Sequence, residues 1–142
     1  MKCHQVMTRN PICCEPMDSV SHAAHLMRQN DIGVLPVISD WRSKKLVGIV
    51  TDRDLVRRVL AEALDADATP VAEAMTTTVM ACRADNDLSS AIGAMELDEL
   101  KCLPILDGRD CIVGVISQAD VQLVVDERSN IKKVFSQIPR AA

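Results

Sequence analysis

Aromatic side chains are almost missing from this 142-residue chain, which has one Trp, one Phe and no Tyr. That argues against a base-stacking platform for single-stranded nucleic acid. A basic excess is missing too: 16 Lys+Arg stand against 20 Asp+Glu, a net charge of −4. No nucleic-acid partner is therefore expected. No apolar run approaches the ~18 residues of a membrane span. The opening Met1-Lys2-Cys3-His4-Gln5 lacks the apolar stretch of a secretion signal. No membrane partner and a cytoplasmic location are the expectations. The six cysteines include no CxxC pair, so neither a zinc ribbon nor a thioredoxin-type motif is written here. In a reducing compartment they should be thiols, and buried ones should pack as small hydrophobes.

What is present is a core-forming balance, 48% hydrophobic and 25% charged, and an internal repeat. Val6-Met7-Thr8 returns as Ala74-Met75-Thr76. Gly33-Val34-Leu35-Pro36-Val37-Ile38 returns as Lys101-Cys102-Leu103-Pro104-Ile105-Leu106. Leu46-Val47-Gly48-Ile49-Val50-Thr51 returns as Ile112-Val113-Gly114-Val115-Ile116-Ser117. Each copy reads β-α-β-β-α. Its first helix carries an i, i+3, i+4, i+7 stripe, Val20, Ala23, Ala24 and Met27 or Leu88, Ala91, Ile92 and Met95. Prolines Pro36 and Pro104 inside strands suggest sheet edges or strand ends. Alternation in the vicinal pair Cys13-Cys14 predicts one side chain buried and one exposed. The expected organisation is repeat 1 over 1–63, a linker over 64–69, repeat 2 over 70–128, and a C-terminal helix and tail over 129–142. The second repeat's last helix is expected to span about 118–127.

One motif occurs twice where a strand meets a helix: Gly48-Ile49-Val50-Thr51-Asp52-Arg53-Asp54 and Gly114-Val115-Ile116-Ser117-Gln118-Ala119-Asp120. Ser/Thr-x-x-acid is a capping box, which any helix can use. The same geometry suits a ligand, because a helix N-terminus favours an anion such as phosphate. The Thr51 hydroxyl can donate to a phosphate oxygen, and the Asp54 carboxylate can accept from the two hydroxyls of a ribose. Phosphate and ribose together describe a nucleotide.

Two β-α-β-β-α copies carrying Gly-h-x-Thr/Ser-x-x-Asp and Leu-Pro-h resemble a tandem pair of cystathionine-β-synthase (CBS) domains, a Bateman module. The resemblance runs from about Val6 to Val125. It implies an α+β fold of two pseudo-symmetric repeats packed sheet to sheet. It implies two clefts taking AMP, ADP, ATP or S-adenosylmethionine as regulatory ligands, with no cofactor required. It also implies a homodimer, an unidentified effector protein as partner, and regulation rather than catalysis. Carried over, a first cleft would use Thr51, Arg53 and Asp54 with Val79, Met80, Lys101, Cys102 and Pro104 of the other repeat. A second would use Ser117 and Asp120 with Thr8, Ile12, Val34 and Pro36. Arg53 and Lys101 would draw a phosphorylated ligand to the first cleft. The alternatives are a structural or dimerisation module with vestigial clefts, and a thiol-based redox or metal sensor. No catalytic residue and no metal ligand set is expected; His22 and His25 lack partners at metal-binding spacing. Few residues lie outside the repeats, so the output is expected to act through another chain.

Overall fold

The computed structural model describes residues 1–136, with side chains through Glu127. The order is α1 (Cys3–Val6), β1 (Thr8–Arg9), α2 (Val20–Asn30), β2 (Val34–Ile38), β3 (Leu46–Thr51) and α3 (Asp52–Leu55), which runs into a π-helical turn, Val56–Leu60. There follow α4 (Val71–Ala74), β4 (Cys82–Arg83), α5 (Leu88–Leu97), β5 (Cys102–Leu106), β6 (Ile112–Ser117) and α6 (Gln118–Ser136). The architecture is α+β and twofold repeated, as expected.

The periodic stripes form the helices predicted for them. Ser19 caps α2 by accepting from His22 N–H at 3.1 Å. Val20, Ala23 and Met27 face the core, and α5 buries the equivalents Leu88, Ala91 and Met95. Ala24 is exposed, and Leu26 packs at the stripe's other edge. Helix α2 ends at Asp31 in the left-handed region (φ 51°), a conformation Asp tolerates better than most residues.

The sheets exchange strands. β1 pairs antiparallel with β6, Thr8 opposite Val115 and Arg9 opposite Gly114. Thr76 pairs reciprocally with Ile49 of β3. The order β1-β6-β5-β4 results, while β2 and β3 form the other hairpin, flanked by bridges to Cys14 and Thr76. Side chains follow the exchange. Cys3 and Met7 belong to the core of Leu103, Ile105 and Ile116. Val71 and Ala74 belong to that of Leu35, Val37 and Val50. Backbone bonds confirm it: Cys3 N–H donates to Asn86 O (2.9 Å) and Val71 N–H to Asp18 O (2.8 Å). The exchanged segments press so close that glycine is required opposite them. A Cβ on Gly114 would lie 2.6 Å from Met7 Sδ, and one on Gly48 2.7 Å from Met75 Sδ.

A third cluster, Cys13, Ile38 and Ile112 with Leu46 and Leu106 against it, joins the two halves. This explains why Cys13 and Cys14 are both buried, contrary to alternation. Cys14 faces its own repeat's core, and Cys13 faces the seam between repeats. The edge expected of the prolines is found for Pro36, whose strand β2 has β3 on one side and a single bridge to Cys14 on the other, but not for Pro104. β5 is internal, and Pro104 precedes Ile105, the first residue paired with β4, so no ladder donor is lost. Helix α6 continues to Ser136 instead of ending near 127, across the expected 128–129 division. The tail 137–142 lies outside the described residues.

Candidate functional site: two capped helix starts

Both motifs adopt the same local geometry. Thr51, extended at φ −115° and ψ 161°, ends β3 and caps α3. Asp54 N–H donates to Thr51 Oγ1 (3.1 Å), and Thr51 N–H donates to Asp54 Oδ2 (3.0 Å). In the second copy Asp120 N–H donates to Ser117 Oγ (3.1 Å), and Ser117 N–H to Asp120 Oδ2 (2.9 Å). The capping box is therefore realised twice. It uses an acceptor site of each hydroxyl and one oxygen of each carboxylate. A hydroxyl also carries a proton to donate, and the second carboxylate oxygen can accept. All four side chains are half-buried.

The surroundings differ. Arg58, one turn beyond Asp54, places Nε 3.9 Å from Asp54 Oδ1. It also donates to the carbonyls of Met75 (3.0 Å) and Ala74 (3.3 Å) on the exchanged segment. Arg58 belongs to the basic turn Arg53, Arg57 and Arg58, readable as a solvated face or as part of a phosphate site, but not to the residues the resemblance carries into the cleft; its i, i+4 spacing from Asp54 is the signal for it. Its counterpart in the second repeat is Val124, which packs against the core. There the exchanged strand supplies the contact itself: Thr8 Oγ1 lies 3.4 Å from both oxygens of Asp120.

The strand residues expected to cross between clefts sit beside their own repeat's motif. Val34 pairs with Thr51, and Cys102 with Ser117. Gln118 N–H donates to the Lys101 carbonyl (3.0 Å), and Asp52 N–H to that of Gly33 (2.9 Å). Burial, reinforced by the nearby Asp120 charge, pushes the Cys102 thiol up to about 11. Cys102 is thus a neighbour of Asp120, not of Asp54. Lys101 stands at the Ser117 helix start, leaving Arg53 at the Thr51 one. The reason is the hairpin, which lays each Leu-Pro strand directly against its own motif strand. Pro36 and Pro104 are buried and act as core. Val79 and Met80 continue from Thr76, which pairs with β3, and Ile12 continues from β1, which pairs with β6. Of these, Ile12 and Met80 are exposed.

Burial also pushes Cys13 up to about 11, and Cys14 up to about 12, aided in the latter by the Asp18 charge. At neutral pH these thiols stay protonated and poorly nucleophilic. No group of three His, Cys, Asp or Glu able to hold a metal occurs among the described residues. No helix among them is long and apolar enough to cross a membrane.

Comparison with known proteins agrees with this arrangement. YhcV of Bacillus subtilis, a CBS domain-containing protein, is 32% identical over 124 residues, 87% of this chain and 84% of its own. The structure of an acetoin utilization protein (AcuB) from Vibrio cholerae superposes with a TM-score of 0.81 at 28% identity, covering 99% of this chain and 98% of that one. The CBS domain pair of protein MJ0100, solved with 5′-methylthioadenosine and S-adenosyl-L-methionine, shares the fold at a TM-score of 0.77 and 23% identity, covering 90% of this chain and 98% of that one. The CBS domain model matches residues 3–61 and again 71–133: the chain belongs to the CBS domain family and carries two copies in tandem.

Proposed function

We propose that the protein is a regulatory module that binds an adenosine-containing ligand at its two helix starts and transmits occupancy to an effector protein, working as a homodimer without catalysis of its own. The observation carrying this reading is the duplicated hydroxyl–carboxylate pair, each on a helix N-terminus beside a segment crossing from the other repeat. The hydroxyl and helix end suit a phosphate, and the carboxylate oxygen outside the capping box retains acceptor capacity that suits a ribose diol. That MJ0100, with the same fold, is described with two adenosyl compounds supports this ligand class. Because Thr8 of the first repeat touches Asp120 of the second, a ligand engaging Asp120 would bias how the repeats sit together. Such a ligand regulates only to the extent that its affinities for the two arrangements differ.

The phosphorylated form is assigned to the Thr51/Asp54 cleft, where Arg58 Nε lies 3.9 Å from the carboxylate and Arg53 precedes Asp54 in the exposed first turn. The Ser117/Asp120 cleft, with Lys101 at its helix start, is the weaker site for that ligand, takes an uncharged adenosyl group, or stays empty. The competing reading, a structural module with vestigial clefts, draws on the fact that both capping boxes are closed internally. A thermal-shift panel of AMP, ADP, ATP and S-adenosylmethionine separates the two. Ligand at 100 times Kd stabilises by about 2.7 kcal/mol, a rise of several degrees in Tm. No shift with any of the four would leave the structural reading.

A further inference from the structure

The turns that close the two hairpins lie side by side, at the far ends of β3 and β6 from Thr51 and Ser117. Lys45 bridges to Cys111, Leu46 N–H donates to Asp110 O (3.1 Å), and Ile112 N–H donates to Lys44 O (2.9 Å). The first turn is the longer and carries the protein's one Trp, in the run Trp41-Arg42-Ser43-Lys44-Lys45. All five residues are exposed, Trp41 by 52%. The second turn, Asp107-Gly108-Arg109-Asp110-Cys111, has no aromatic residue and a single cation. Closing a hairpin of this fold therefore does not require the Trp or the basic run.

The Trp41 turn is held from within. Asp40 Oδ1 accepts from Arg42 N–H and Ser43 N–H, both at 2.8 Å, and Asp40 Oδ2 accepts from the Ser43 hydroxyl at 3.2 Å. Lys44 N–H donates to the Asp40 carbonyl (2.9 Å). The carboxylates of this face are thus engaged. Asp40 serves the turn, Asp107 accepts from Arg109 N–H (2.8 Å) and Cys111 N–H (3.1 Å), and Asp110 pairs with Arg83 (2.6 Å). Arg42, Lys44 and Lys45 form no ion pair among the described residues.

We propose that this turn is where the effector docks, by a linear acidic segment that also carries an apolar side chain. The proposal deepens the regulatory reading above and rests on it for the existence of an effector. The apolar side chain packs on the indole, and the acidic ones meet Arg42, Lys44 and Lys45. Trp and Arg are the side chains that most often dominate a protein contact, and a turn already ordered loses little freedom on binding. An anionic bilayer fits this face less well, because a flat surface would also press against Asp40, Asp107 and Asp110.

Selection from a library of random linear peptides on the full chain tests this. Enrichment of Asp and Glu around an apolar residue is expected. A synthetic peptide of the enriched sequence should blue-shift the emission of Trp41, the sole tryptophan, and should loosen severalfold as salt is raised. With the peptide labelled for anisotropy, Trp41→Ala and Arg42→Glu/Lys45→Glu should each raise Kd by about tenfold or more, with circular-dichroism melts close to wild type. Should the double variant fold poorly, Lys45→Glu alone serves instead, with a severalfold rise. No enrichment, enrichment of basic peptides, equal binding by the variants, or binding to phosphatidylserine vesicles in place of peptides overturns the proposal. The thermal shift with adenosyl compounds is read separately: both variants should keep the wild-type shift, and its absence in the wild type counts against the clefts alone.

Discussion

Asp54 and Asp120 occupy equivalent places and make the same two capping bonds to within 0.1 Å, yet their company differs. Asp54 has an arginine from its own helix, which also holds the carbonyls of the exchanged segment. Asp120 has a threonine from the other end of the chain. Duplication preserved what the backbone needs, the strand end, the cap and the close glycine. It left the second carboxylate oxygen free to diverge. Asp54 is tied to the other half through a side chain, whereas Asp120 is tied to it directly.

The comparison can be broken at several levels. Leu35 and Leu103 are equivalent and fully buried, so Leu35→Ala and Leu103→Ala should each remove about 2–5 kcal/mol. Because each core borrows from the other half, calorimetry should show one transition in both variants; two separate transitions would mean that the halves are independent. Next come the close glycines. Gly114→Ala must push the backbone Thr8 O, 2.9 Å from the new methyl, where Gly48→Ala meets Thr76 O at 3.1 Å. Both should lose about 1–3 kcal/mol in chemical denaturation, Gly114→Ala more. The reverse order would contradict the tighter seat of the first strand.

At the clefts, Asp54→Ala should weaken ATP binding by about tenfold or more, and Asp120→Ala less, as measured by calorimetric titration. Both variants lose the same cap, so their difference reports the ligand; a larger loss in Asp120→Ala reverses the assignment. Arg58→Met should lower stability by about 0.5–1 kcal/mol through its carbonyl bonds. Its half-exposed ion pair adds little. The smallest effect is at high pH. Burial raises Cys13, Cys14 and Cys102 from 9.0 to about 11, 12 and 11. Below pH 9 these thiols are protonated in both states and their contribution is constant. As pH climbs from 9 toward 11–12 the unfolded chain releases protons that the folded chain retains, so stability falls. Cys14→Ala should flatten that decline more than Cys102→Ala does.

Much of the fold could be read from local pattern. The stripes at Val20–Met27 and Leu88–Met95 are periodic enough to set helix and facing, and Thr51-x-x-Asp54 and Ser117-x-x-Asp120 state their own caps. The strand exchange could not be read this way. Thr8 pairs with Val115 across more than a hundred residues, and nothing in a two-residue strand advertises a partner. With the exchange hidden, the sequence offers Lys101 and Cys102 to the Thr51 helix start, whereas the hairpin lays them beside Ser117. The burial of Cys13 was hidden for a related reason, because its partners Ile38 and Ile112 come from both repeats. The π turn at Val56–Leu60 has no marker in helical periodicity.

The exchange also sets an order in time. On the ribosome, Thr8 and Arg9 are made long before Val115 and Gly114, the residues that complete their ladder. The first repeat can gather its own core once Val71 and Ala74 have emerged. The segment around Met7 must wait, without a seat, until β6 is out. Residues made before the rest of both repeats are thus among the last to be placed, and a chain cut short before β6 would leave them stranded.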